Sequence, residues 1–281
     1  MPPEAAKIEP PVDPTIGLPG IDLSKPPSDV DAGRGDPIIR LNDLEVVYAN
    51  HVAALKPTTL DLADGEMTVL LGPSGAGKST LLRSLNLLVR PTRGHIWSRD
   101  VGALNSHRQI RKHRRSTAMI FQQHQLIGRM AAMHNVLISR LGRHSTLRTL
   151  IGFTEGERRL ALECLDRVGL FEKALTRCDN LSGGQQQRVG IARALAQEPK
   201  MILADEPVAS LDPASSHRVL TVLRTICKED RIPVIVSLHQ LEYAREFADR
   251  IIGLALGEVV FDGPPAAMDQ AVLSQIYGTR N

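Results

Sequence analysis

Residues 67–85 read MTVLLGPSGAGKSTLLRSL. Five apolar-rich positions run into a glycine-rich loop, and the loop runs into leucines at helical spacing. A short apolar run ending in glycine predicts a strand buried on both faces, as in a parallel sheet. KSTLLRSLNLL predicts a helix directly after the loop. Two more apolar runs, MILADEP (201–207) and PVIVSLH (233–239), end in polar residues in the same way. Buried strands alternating with helices imply a parallel α/β sheet, whose ligands bind beyond the carboxyl ends of the strands. PIIRLNDLEVVY (37–48) alternates apolar and polar and predicts an edge strand. About residues 125–190, with EGERRLALECLDRVGL, read as helical and form a subdomain inserted into the sheet domain.

Composition sets the outer limits. Aromatics make up only 3% of the 281 residues, so the core must rest on Leu, Ile, Val and Ala. No apolar run reaches the ~18 residues a membrane span needs. The opening residues lack the charged-then-apolar pattern of a secretory signal. Cys164, Cys178 and Cys227 are odd in number and far apart, which suits free buried thiols better than disulfides or a metal site. Residues 1–36 hold eight of the eighteen prolines and few large apolar side chains, so a disordered tail is expected there. The folded domain then covers 37–265 and a short tail 266–281. The basic run HRQIRKHRR (107–115) has no interleaved aromatics for base stacking and reads as a solvated helix face.

The loop GPSGAGKST carries specific chemistry. Gly72, Pro73, Ser74, Gly75, Ala76, Gly77, Lys78, Ser79 and Thr80 fit G-x-x-x-x-G-K-[ST] between a predicted strand and a helix. Glycines let backbone N–H groups curl around phosphate oxygens, and the following helix directs its positive end at the same anion. Lys78 would reach the β/γ-phosphates and Ser79 a Mg²⁺ ion. Asp205 and Glu206 end the strand MILAD. Asp205 is suited to the Mg²⁺ shell through water, and Glu206 to accepting a proton from a water attacking the γ-phosphate. An acidic pair at a strand end is by itself a common turn; the phosphate loop gives it meaning. His239, Gln122 and Tyr48 stay open on physics alone. A strand-end histidine is often structural, Gln123 competes with Gln122 on spacing, and an edge tyrosine can simply pack.

LSGGQQQRVGIARAL (181–195), followed closely by MILADEPVASLDP (201–213), resembles the nucleotide-binding subunits of ABC (ATP-binding cassette) transporters over about residues 37–265. The resemblance implies a P-loop NTPase (RecA-like) α/β core with a small antiparallel β subdomain and an inserted α-helical subdomain. It implies ATP and Mg²⁺ as ligands. Ser182, Gly183, Gly184 and Gln185 would close over the γ-phosphate held by a second copy, burying two ATPs in a head-to-tail homodimer. Tyr48 takes the adenine-stacking place. Gln122 takes that of the glutamine linking the metal and γ-phosphate to the helical subdomain. Ser210, Leu211 and Asp212 match the loop that crosses the dimer, and His239 the switch histidine. Residues 126–143 would dock on a membrane permease dimer, served in turn by a solute-binding protein. The subunit would sit peripherally on the cytoplasmic face of the cell membrane, with no nucleic acid as partner.

Finer details resemble the ATP-binding subunits of phosphonate importers: Val208-Ala209 after ADEP, Gln240 after His239, NVLISRLGR, IIGLALGEVVFDGPP and IYG. His134 departs from the glutamate expected before NVL. Soluble relatives that act on nucleic acid or ribosomes usually carry two cassettes or long insertions, which are absent from this sequence. An exporter subunit fits the details less well.

Overall fold

The computed structural model describes residues 37–49, 52–123, 125–143 and 152–278; the tail expected over 1–36 lies outside them. Two sheets organise the described chain. The first is antiparallel, in the order β2 (Ala53–Leu62), β1 (Ile39–Val47), β4 (Arg93–Ser98), β5 (Gly102–Ala103). Strand β1 is therefore interior, paired with β2 on one side and β4 on the other. The edge expected from its alternation is corrected here. Leu41, Leu44 and Val46 face the core while their neighbours are half-buried. Alternation reports which face is buried and is blind to lateral neighbours.

The second sheet runs β10 (Glu258–Gly263), β9 (Arg250–Ala255), β3 (Met67–Leu71), β8 (Val234–Leu238), β7 (Met201–Asp205), β6 (Thr117–Ile120). All its pairs are parallel except the β9–β10 hairpin. Strands β3, β7 and β8 are buried at every position, as their unbroken apolar runs require. Their side chains still divide between two cores. Val69, Leu71, Val236 and Leu238 face one cluster, which is completed by the helices α5 (Gly183–Leu195) and α6 (Pro213–Glu229). Leu70, Leu203 and Ile235 face the other, where α1 (Lys78–Leu85) lies between the two sheets through Leu81, Leu82 and Leu85.

Between β6 and β7 the described chain carries helices but no named strand: α3 (Ala132–Ile138), α4 (Glu155–Arg167) and α5. Helix α2 (His107–Ser116) holds the basic run. It buries only His113, whose Nε2–H donates to the Leu85 carbonyl at 2.8 Å. The last described helix covers Gln270–Tyr277, in the segment expected as a tail; Ile276 packs where a side chain on Gly253 would stand. No helix of the described residues is long and apolar enough to cross a membrane. All three cysteines are free and buried.

Candidate functional site

The loop from Gly72 to Gly77 joins β3 to α1. Gly77 has φ +100°, and a Cβ there would stand 2.6 Å from the Ala54 carbonyl oxygen. Only glycine fits both the torsion and the approach. Gly77 also enters α1 without any side-chain cap, so the first-turn N–H groups are left to whatever binds the loop. Lys78 folds back over this loop. Its ammonium donates to the carbonyls of Gly72 at 2.7 Å and Pro73 at 2.9 Å. Burial lowers its pKa below the ordinary 10.5, while Glu206 and Asp205 pull the other way.

The acids arrive from β7. Strand β8 lies between β7 and β3, yet Asp205 reaches across to α1. Its Oδ1 accepts the Ser79 hydroxyl at 2.8 Å and the Ser237 hydroxyl at 3.1 Å. Its Oδ2 accepts from Arg83, with Nε at 3.1 Å and Nη2 at 3.0 Å. Glu206 follows in the left-handed region, at φ +48°. Its backbone N–H donates to Ser237 Oγ at 2.8 Å. Its carboxylate meets His239 Nε2 at 2.5 Å, and His239 Nδ1 lies 3.3 Å from the Lys78 ammonium. An ammonium can only donate, so Nδ1 accepts and Nε2 carries the proton toward Glu206. Lysine, histidine and glutamate thus form one chain.

A cavity of about 470 Å³ opens on this group, lined by residues 74–80 of the loop, Glu206, Tyr48, Val52, Ala53, Ala54 and Leu256. Tyr48 is 45% exposed, with its hydroxyl 3.4 Å from Thr80 Oγ1. Its side chain stands on the cavity wall.

The helix start at Ser182 forms a second constellation. Gln185 N–H donates to Ser182 Oγ at 3.3 Å and Ser182 N–H to Gln185 Oε1 at 2.9 Å, a capping box. Gly184 lets α5 approach α6, since a Cβ there would stand 2.7 Å from Ser215. Leu211 is next to Gly183, and Asp212 caps α6 by accepting Ser215 N–H at 2.9 Å. None of Ser182–Gln185 lines the cavity around Lys78. Gln122 and Gln123 line a different cleft, of about 370 Å³, with Leu126, Gly128, Cys178 and Ser210. The structure therefore gathers Lys78, Ser79, Asp205, Glu206, His239 and Tyr48, and keeps Gln122 and the Ser182 group apart from them.

Sequence reasoning passed over three contributors. Ser237 is the one hydroxyl in the buried run VIVSL, a signal that was there to be read. Arg83 and Tyr277, whose hydroxyl donates to the His239 carbonyl at 3.3 Å, left no pattern, because their partners are 122 and 38 residues away.

A family profile described as ABC transporter matches residues 55–209. The phosphite import ATP-binding protein PxtA of Stutzerimonas stutzeri is 60% identical over 88% of this chain and 89% of its own. The phosphonates import ATP-binding protein PhnC 3 of Nostoc sp. is 55% identical over 86% and 92%. Among solved structures, the dimeric post-hydrolysis state of the ATP-binding cassette MJ0796 bound to ADP and Pi is 34% identical. It has a TM-score of 0.71, over 82% of this chain and 100% of that one. The cassette cbiO1 from Clostridium perfringens, part of the ABC transporter complex cbiONQ, is 28% identical, with a TM-score of 0.75 over 85% and 94%.

Proposed function

Because the chain belongs to the ABC transporter family, we propose that it is the ATP-hydrolysing subunit of an importer for a small phosphorus oxyanion, phosphonate or phosphite. It works through a separate membrane permease. One observation carries this reading: Lys78, Ser79, Asp205, Glu206 and His239 converge at the carboxyl end of one sheet around a glycine loop. The names of the two relatives support the solute class.

The uncapped start of α1 and Lys78 bind the β- and γ-phosphates of ATP, and Tyr48 stacks on the base. Ser79 and Asp205 would hold Mg²⁺, since both offer oxygen donors of the hard kind it prefers. Mg²⁺, when bound, supplies positive charge against the phosphates. Glu206 accepts the proton of the attacking water. His239, now donating to Glu206, turns its proton to the γ-phosphate. Gln122 lies outside the cavity and joins the site only when the helical segment moves inward. Ser182 with α5 completes the site of a second copy, so the working form is a head-to-tail dimer. The subunit sits on the cytoplasmic face of the membrane, residues 126–143 meet the permease, and a solute-binding protein delivers the cargo.

Growth on methylphosphonate or phosphite as sole phosphorus source tests this. A strain lacking the chain should lose growth on one of them and keep it on phosphate. The parent chain should restore it and a Lys78→Ala variant should not. Undiminished growth of the deletion strain on both sources, or rescue by Lys78→Ala, contradicts the proposal.

A further inference from the structure

We infer that Ser237, on the strand between the phosphate-loop strand and the acidic strand, is a positioning residue that holds Asp205 and Glu206 in their working geometry. The inference rests on the roles proposed for those two acids.

Strand β8 separates β3 from β7, and Ser237 lies in register with Leu70 on one side and Asp205 on the other. Its neighbours Val236 and Leu238 face the helix-side core, so Ser237 faces the opposite side, where α1 brings Ser79. The residue is fully buried among Val, Ile, Val and Leu. A hydroxyl in such a place is costly unless both its proton and its lone pairs are used. Both are. The proton goes to Asp205 Oδ1 at 3.1 Å, and a lone pair receives the Glu206 N–H at 2.8 Å. The directions are fixed, because a carboxylate only accepts and an amide N–H only donates.

One atom therefore bridges two successive residues with different tasks. Asp205 Oδ1 also accepts the Ser79 hydroxyl, so Ser237 orients the carboxylate that faces α1. Glu206 sits at φ +48°, a conformation an ordinary side chain keeps only when its surroundings impose it. The Ser237–amide bond restrains that backbone, beside the Ala209 N–H that donates to the Glu206 carbonyl at 3.3 Å. It aims the Glu206 side chain at His239. Without the hydroxyl the Glu206 peptide can relax, and the carboxylate swings from its place while the phosphate loop stays intact.

The test compares the full-length chain with Ser237→Ala and Ser237→Cys, the second keeping volume where Ala would leave a gap. Melting and nucleotide titration first establish folding and ATP binding. Misplacing a reacting group costs on the order of 10–100-fold, so kcat should fall by about that factor with KM for ATP within about 2-fold. The Mg²⁺ concentration for half-maximal rate should rise. In a Glu206→Gln background at saturating Mg²⁺, Ser237→Ala should cause no further loss of the residual rate. A parental kcat and Mg²⁺ dependence in both variants overturns the inference. So does the same fold-loss with and without Glu206, or a loss that falls on ATP binding. Absence of ATPase activity in the parent, or a parental rate in Glu206→Gln alone, strikes the underlying assignment of the acids instead.

Discussion

Lys78 carries a positive charge to a place where 3% of its surface meets solvent. Two loop carbonyls, His239 and the charges of Asp205 and Glu206 make that tenable. The same contacts tie the three central side chains together, so each is sensitive to loss of the others. Glu206→Gln should leave nucleotide affinity intact and slow hydrolysis at least ~100-fold, as loss of a general base does. Single-turnover rates with titrated ATP measure both, and hydrolysis at the parental rate would remove Glu206 from the mechanism. The cysteines make a contrasting case. Burial pushes the thiols of Cys164 and Cys227 up to about 11, so at pH 8 both stay protonated and poorly nucleophilic. Iodoacetamide should leave both unmodified in the native chain and label them after denaturation. Native labelling would show that these thiols are more exposed than the fold allows.

Helix α1 serves both the site and the core, with Ser79 and Arg83 on Asp205 and Leu81, Leu82 and Leu85 between two sheets. Truncating Leu82 to Ala should cost ~2–5 kcal/mol, the usual range for a buried leucine. Urea unfolding would measure it, and a loss below ~1 kcal/mol would mean the site collapses around the gap. Helix α2 docks through His113, which burial keeps neutral, its pKa lowered from 6.5. The unfolded chain then takes up the proton more readily than the folded one, so stability falls as pH drops through about 6.5. The midpoint of unfolding should shift down between pH 7.5 and 5.5 in the parent and less in His113→Gln. An equal shift in both assigns the pH dependence elsewhere. Much of this layer was legible in the sequence. The loop, the three buried strands and the acids at a strand end follow from local pattern, because burial on both faces leaves an unbroken apolar run. What was not legible is lateral order. Nothing local says that β8 separates β3 from β7, that β1 is interior, or that residues 270–277 pack as a helix on β9. Ser237 and Arg83 take their meaning from that order.

Across the described chain, two groups of candidate site residues stand apart. The glycine loop and Glu206 line one cavity, and the capped start of α5 lies outside it. Within one copy the Ser182 hydroxyl is engaged only with its own helix. Proposed as completing a partner's site, it gives this capped start a second role beside the packing of Gly184 on Ser215. A helix start is a place where an anion is favoured. Hydrolysis should then depend on association, with specific activity rising steeply with protein concentration in dilute solution. A rate strictly proportional to concentration would argue for self-sufficient monomers. Ser182→Ala should cost only ~1 kcal/mol of stability, the worth of one cap, while lowering ATPase activity by a far larger factor than that loss explains. Parental activity in that variant would confine Ser182 to capping.

The most direct measurement is light scattering of the Glu206→Gln chain at saturating ATP and Mg²⁺, beside the same chain with no nucleotide. Two ATPs held between two copies predict twice the monomer mass with ATP, one bound ATP per chain, and the monomer mass without it. Stoichiometric ATP binding at the monomer mass under both conditions would contradict a site completed by a second copy.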